Sequence, residues 1–222
     1  MKVLVVAAHP DDEVLGCGGT MAKHADRGDD VASLFLADGV GARGPEDDDA
    51  LTARMAAAAD AARLLGCGPS THMNFADNQL DSVPLLELVK AVERRVEEFG
   101  PERIYTHHHG DLNIDHRLTH EAVLTACRPL AGRCVREIYG FEVLSSTEWS
   151  GPSEARAFLP NHFENIEDFL DRKLDALAAY EMELAPFPHP RSPEAVRALA
   201  ALRGANSGFL AAEAFMLVRS LN

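Results

Sequence analysis

Four residues able to do metal and proton chemistry, His9, Asp11, Asp12 and Glu13, fall within one stretch of five. An imidazole and three carboxylates so close together suit a metal ion and a proton carrier. His9 and Asp12 are three residues apart, close enough in a tight turn to grip one ion. A catalytic zinc keeps three protein ligands and an open position for water, so a third ligand must come from elsewhere. The richest source is His107-His108-His109-Gly110-Asp111-Leu112-Asn113-Ile114-Asp115-His116, followed by His120, with five imidazoles between residues 107 and 120. Two or three of these are expected to be ordinary surface or capping residues, as are His24 and His72. Asp11 also has a plainer reading as a helix N-cap, which accounts for one acidic residue but not for the group.

The elements that must position these residues follow from hydrophobic patterning. Val3 to Ala8 is continuously apolar, as expected for a strand buried on both faces of a parallel sheet. His9 to Glu13 is then the turn at its carboxyl end, where open α/β sheets bind ligands. Helical patterns over Glu13–Arg27, Leu51–Leu65, Leu85–Glu98 and Asp115–Cys127 alternate with strands over Val31–Ala37, Ser70–Phe75, Arg103–His107 and Val135–Val143. Gly28, Gly66 and Gly100 stand where helices stop. The alternation predicts a Rossmann-like, doubly wound, mostly parallel α/β sheet. From Ser145 the pattern loosens into a strand remnant near Phe163, a helix within 166–184, a proline-rich loop over 186–193, a helix over 194–203 and a last strand over 214–220. The chain therefore reads as one domain, 1–222, with a core over 1–144 and a C-terminal elaboration over 145–222. Gly16, Gly18 and Gly19 do not make a dinucleotide fingerprint, because the third glycine of G-x-G-x-x-G would fall on Met21. They predict close packing of the first helix instead.

Composition narrows the partners. A formal charge of −14 argues against nucleic acid and fits poorly with anionic lipid. The run Glu46-Asp47-Asp48-Asp49 is expected to be a solvated loop rather than a calcium site, which would need alternating ligands around a central glycine. No stretch approaches membrane-spanning length, and the first apolar run is too short for a signal peptide. Cys17, Cys67, Cys127 and Cys134 are scattered without C-x-x-C spacing, as in a reducing compartment. The expectation is a cytoplasmic protein.

The Ala8-His9-Pro10-Asp11-Asp12-Glu13 turn after the first strand, joined to Asp115-His116-Arg117, resembles the PIG-L or LmbE-like zinc-dependent de-N-acetylases. The resemblance extends over nearly the whole chain, through Gly110-Asp111-Leu112-Asn113, Pro188-His189-Pro190-Arg191-Ser192 and Glu213-Ala214-Phe215. It implies removal of an acetyl group from an N-acetylated amino sugar or glycoconjugate, with one zinc per chain held by His9, Asp12 and His116. Asp11 is then the general base toward a zinc-bound water. The resemblance also implies a homo-oligomer. Asp115 is expected to orient an imidazole, and His120, one helical turn beyond His116, is a rival ligand ranked behind it as a supporting or substrate-side group.

Two departures from the family pattern matter. Asn113 stands where some members carry a histidine that helps in proton transfer, and His189, between Pro188 and Pro190, is the candidate to fill that catalytic role. Ala57 replaces a glutamate expected one turn after Arg54. Arg54, Asn113, Arg191 and Asp77 are the candidates for substrate contact, with Asn78 and Trp149 behind them; for the arginines, surface salt bridging is an equal alternative. Two other readings remain open at the level of sequence: a zinc amidase acting on a non-sugar acyl amide, and a non-catalytic nucleotide-binding module, which would need a phosphate-cradling glycine loop at the strand end.

Overall fold

The computed structural model describes residues 1–41, 48–132 and 134–222. Seven strands, β1 (Lys2–Ala7), β2 (Asp30–Ala37), β3 (Thr71–Phe75), β4 (Arg103–His107), β5 (Glu137–Phe141), β6 (His162–Asn165) and β7 (Ala212–Ser220), form one sheet in the order β3-β2-β1-β4-β5-β7-β6. The first five neighbours run parallel, and β7 runs antiparallel to both β5 and β6. The helices are α1 (Asp12–Asp26), α2 (Asp48–Leu65), α3 (Leu85–Phe99), α4 (Ile114–Ala126), α5 (Leu170–Ala178) and α6 (Pro193–Ala205). The sheet is thus mixed α/β and mostly parallel, as its alternating pattern predicts.

Each central strand is buried on both faces, which is why β1 and β2 read as unbroken apolar runs. Val3, Val5, Ala7 and Phe35 face α1, α2 and α5, whereas Leu4, Val6, Leu34 and Leu36 face α3 and α4. The strand order reverses direction between β1 and β4, which pair from Val3 with Arg103 to Val6 with Thr106. The turn after β1 and the loop after β4 therefore leave the sheet side by side, at the crevice where such folds bind ligands.

Differences from the sequence expectation are local. Helix α2 begins at Asp48, three residues early, with Asp49 in the first turn, where the helix dipole favours a carboxylate; Arg54 consequently sits in its second turn. Of the acidic run, Glu46 and Asp47 lie outside the described residues. The last strand, β7, whose place in the sheet the sequence pattern does not indicate, enters between β5 and β6, so the chain after Ser145 extends the same sheet.

Helix α1 is broken at Cys17 (φ −148°, ψ 22°). The glycine cluster around the break serves close packing: a Cβ on Gly19 would come within 2.8 Å of Ile166, and one on Gly16 would overlap the Phe141 ring. The break exposes two amides, and Glu213 on β7 accepts both, from Gly19 at 2.9 Å and Thr20 at 2.7 Å. Lys173 on α5 pairs with Glu213 at 2.6 Å and donates to the Leu15 carbonyl at 2.8 Å. This buried pair fixes the first turn of α1, which carries the acidic residues of the site.

Candidate metal centre

His9, Asp12 and His116 converge at the crevice, each buried, and each offers one ligand atom within 4.8 Å of the others. His9 Nδ1 lies 3.1 Å and His116 Nε2 3.2 Å from the same Asp12 oxygen. Two buried atoms of this cluster make no hydrogen bond: Asp12 Oδ1, and His116 Nε2, whose approach to the other Asp12 oxygen is an ion-pair distance only. Leaving such groups buried and unpaired costs roughly 1–3 kcal/mol each. A cation between the three side chains would satisfy both, so the donor set fits a metal ion, and two imidazoles with one carboxylate suit zinc.

A second triplet, His9, Asp77 and Asp115, is equally compact. The oxygens of Asp115 are already engaged, however, by the amides of Asn78 at 2.8 Å and Leu80 at 3.0 Å. Its better description is a support for His9, whose Nε2 lies 3.0 Å from Asp77 and 3.2 Å from Asp115. His116 is backed in the same way, with Nδ1 3.2 Å from Asp111. Asp111 in turn accepts from Thr147 Oγ1 at 2.6 Å and from Ser146 Oγ. Carboxylates behind ligand imidazoles fix the tautomer and raise basicity. Burial opposes a proton on His116, but Asp12 and Asp111 outweigh it and lift its pKa to about 9.

Asp11 occupies the N-cap position of α1 yet makes no side-chain cap bond, so capping does not explain it. Its backbone is held at φ 120°, a conformation that costs a non-glycine residue on the order of 1–3 kcal/mol. Glu13 helps impose it: one Glu13 oxygen accepts the Asp11 amide at 2.9 Å and the other accepts Tyr180 Oη at 2.6 Å. The twist turns the Asp11 carboxylate away from the helix and toward Arg191 Nη1 at 2.9 Å and Arg54 Nη2 at 3.4 Å. Glu183 joins the two guanidiniums, pairing with Arg54 and with Arg191 at 2.9 Å. Burial raises the proton affinity of Asp11 and outweighs the opposing pull of Arg191 and Arg54.

The family model described as PIG-L, GlcNAc-PI de-N-acetylase, matches residues 4–127, which carry every one of the three cluster residues. This chain belongs to the PIG-L family. A PIG-L relative in Escherichia coli K12, the uncharacterized deacetylase YaiS, is 30% identical over 81% of this chain and 90% of its own length. Among solved structures, N,N′-diacetylchitobiose deacetylase from Pyrococcus horikoshii matches with a TM-score of 0.78 at 22% identity, over 98% of this chain and 84% of that one. GalB, the 4-carboxy-2-hydroxymuconate hydratase from Pseudomonas putida KT2440, matches at 0.71 and 24% identity, over 100% and 97%. Both structural likenesses speak to fold alone, and the second shows that the PIG-L fold also carries chemistry other than deacetylation.

The remaining residues singled out by sequence distribute around this PIG-L centre. Asp77 and Asp115 stand behind His9. Asn113 caps α4, accepting the Asp115 amide at 2.8 Å, and donates to Asn78 at 3.0 Å, so it steadies the carboxylate that steadies His9. His120 is not brought into the cluster; its Nδ1 donates to the His107 carbonyl at 2.7 Å, and burial pushes its pKa down to about 4. Arg54 and Arg191 both face Asp11. His189 is exposed at the rim, and its Nδ1 accepts the Arg191 amide at 3.1 Å.

His107, His108 and His109 serve the loop: His107 accepts the Ala8 amide at 2.8 Å and stacks on His116 at 3.9 Å, and the other two bond the carbonyls of Arg156 and Ala155. His24 and His72 lie elsewhere, bonded to Asp29 and Ser70. Sequence reasoning counted Glu13 among the carboxylates of the turn and Asp111 among the motif residues without giving either a specific role, and it did not single out Glu183. Asp111 had a readable signal, its place in the histidine-rich loop, and Glu13 had its place in the turn. Glu183 had none.

Proposed function

We propose that the chain is a zinc-dependent hydrolase that removes the acetyl group from an N-acetylated amino sugar or glycoconjugate. The observation carrying this reading is the buried His9–Asp12–His116 cluster, with two orphaned ligand atoms, beside the strained and buried carboxylate of Asp11. A zinc ion held by that cluster would supply Lewis acidity and lower the pKa of water to about 7. Asp11 accepts the proton as the water oxygen bonds to the acetyl carbon, and passes it to nitrogen as the C–N bond breaks. Acetate and a free amine leave. Burial suits Asp11 to this cycle because it raises the carboxylate's appetite for a proton, while Arg54 and Arg191 keep the carboxylate aimed.

Asn113 is committed to the α4 cap, which supports assigning the second polar role to His189. Its Nδ1 accepts a backbone amide, so the neutral ring carries its proton on Nε2 and can donate to the developing oxyanion. We place the enzyme in the cytoplasm, on its scattered unpaired cysteines, and as a homo-oligomer, on the family resemblance; sedimentation as a monomer would remove the second part.

The test is acetate release from a panel of N-acetylated sugars and of simple N-acetyl amides, before and after chelation. Sugar turnover that vanishes with the metal and returns with zinc is the expected result. Turnover confined to the simple amides would move the reading to a non-sugar amidase, and turnover indifferent to chelation would sink it. Full zinc occupancy in His116→Ala, with loss in His120→Ala, would transfer the third ligand to His120. Unchanged kcat in His189→Ala would remove His189 from the mechanism.

A further inference from the structure

The segment 145–149 ties the two halves of the centre together. Ser146 and Thr147 bind Asp111, the carboxylate behind His116. Ser145, held at φ 68°, accepts Arg191 Nε at 2.7 Å, and Arg191 binds Asp11. The segment is stiffened from within, because Glu148 accepts the amides of Ser145 at 2.6 Å and Ser146 at 3.2 Å. At its end stands Trp149, the one tryptophan of the chain, 51% exposed.

A single exposed apolar side chain is ordinary. What distinguishes Trp149 is its mounting. It is two residues from Thr147, and its ring meets that of His189 edge to face, 6.5 Å away at 88°. His189 is itself two residues from Arg191. Each ring therefore stands within about 7 Å of chain from a residue that touches the centre. An indole with an open face, carried beside a site on a segment tied down by Glu148 and Asp111, offers apolar area with only two side-chain torsions to fix on binding.

We propose that Trp149 is a stacking platform for a second sugar ring, glycosidically linked to the acetylated one, so that the enzyme prefers an N-acetylated disaccharide or larger glycoside to a free monosaccharide. The apolar face of a pyranose lies on the indole while its hydroxyls remain in water, and His189 marks the side on which the acetamido group enters. The proposal rests on the deacetylase reading above and adds the substrate's size.

Because Trp149 is the sole tryptophan, its fluorescence reports the subsite without turnover. N,N′-diacetylchitobiose titrated into zinc-loaded Asp11→Asn protein should shift the emission saturably, and N-acetylglucosamine should need at least about tenfold more for the same shift. In the otherwise native enzyme, Trp149→Ala should lower the ratio of kcat/KM for disaccharide over monosaccharide by about tenfold, and Trp149→Phe should restore most of it. Emission unmoved by saturating disaccharide, or a ratio unchanged in Trp149→Ala, overturns the platform. Acetate release from neither sugar would instead defeat the deacetylase reading, and the titration would still decide whether a glycan stacks here.

Discussion

Two buried ionic networks flank the first turn of α1, and they are built to different ends. Behind the helix, Glu213 accepts two backbone amides and Lys173, while Lys173 also takes the Leu15 carbonyl. Both carboxylate oxygens of Glu213 are engaged, and the charges cancel. In front, Asp11 and Glu183 face Arg54 and Arg191, and the charges cancel again. Yet Asp11 Oδ1 is buried and makes no hydrogen bond, having only the longer 3.4 Å ion pair with Arg54; its backbone is strained, and its proton affinity is raised. A saturated network has nothing left to offer a ligand and only fixes shape. An unsaturated one keeps an acceptor in reserve, at the expense of stability.

The largest expected effect breaks the front network chemically. Asp11→Asn should retain zinc and fold, but lower kcat by on the order of 10²–10⁴-fold, since an amide cannot take the proton. Metal analysis and steady-state rates on a confirmed substrate measure both. Near-parental turnover would mean that another residue is the base, and loss of zinc would mean that Asp11 and Asp12 have their roles exchanged.

Behind the helix the same logic predicts a loss of stability. Lys173→Met leaves Glu213 charged, buried and without a counterion, which should cost about 3–5 kcal/mol. Urea denaturation measures it, and adding Glu213→Gln to Lys173→Met should recover part of the loss. A change below about 1 kcal/mol would show that the two backbone amides alone suffice for Glu213, and the contrast between the networks would fail.

How legible this was depended on sequence distance. The turn at 9–13 could be read because its chemistry is consecutive and follows an apolar strand. Strand–helix alternation predicted the parallel half of the sheet for the same reason: each unit carries its own pattern. The glycines of α1 announced close packing, but not that Phe141 and Ile166 were the partners. Arg54 and Arg191 were visible as cations near the chemistry, whereas their shared partner Glu183 lies 129 residues from Arg54 in a short turn with no motif of its own. The entry of β7 between β5 and β6 likewise depends on pairings between distant segments, which no local period records. Asn113 was readable as a departure from a pattern; that it caps α4 and reaches Asn78 required the fold.

The smallest effect concerns a third network, nearer to solvent, where a carboxylate is engaged on both oxygens but not sealed. Glu164 on β6 meets Lys23 at 2.6 Å and His162 at 3.0 Å. Burial works to raise its pKa, but His162 and Lys23 together prevail and hold it at about 2, against 4.5 for the free side chain. Between those values the unfolded chain binds more protons than the folded one, so stability must fall as pH falls. The contribution is complete above about pH 4.5 and lost on descent toward about pH 2. Water near the pair weakens it, so the amplitude should be on the order of 1–2 kcal/mol rather than the full linkage value. Comparing unfolding free energies of the parent and Glu164→Gln near about pH 6 and about pH 3 isolates this term from the other carboxylates. The gap between parent and variant should narrow on acidification. A constant gap would show that Glu164 titrates alike in both states, and that engagement with only partial burial holds no charge in place here.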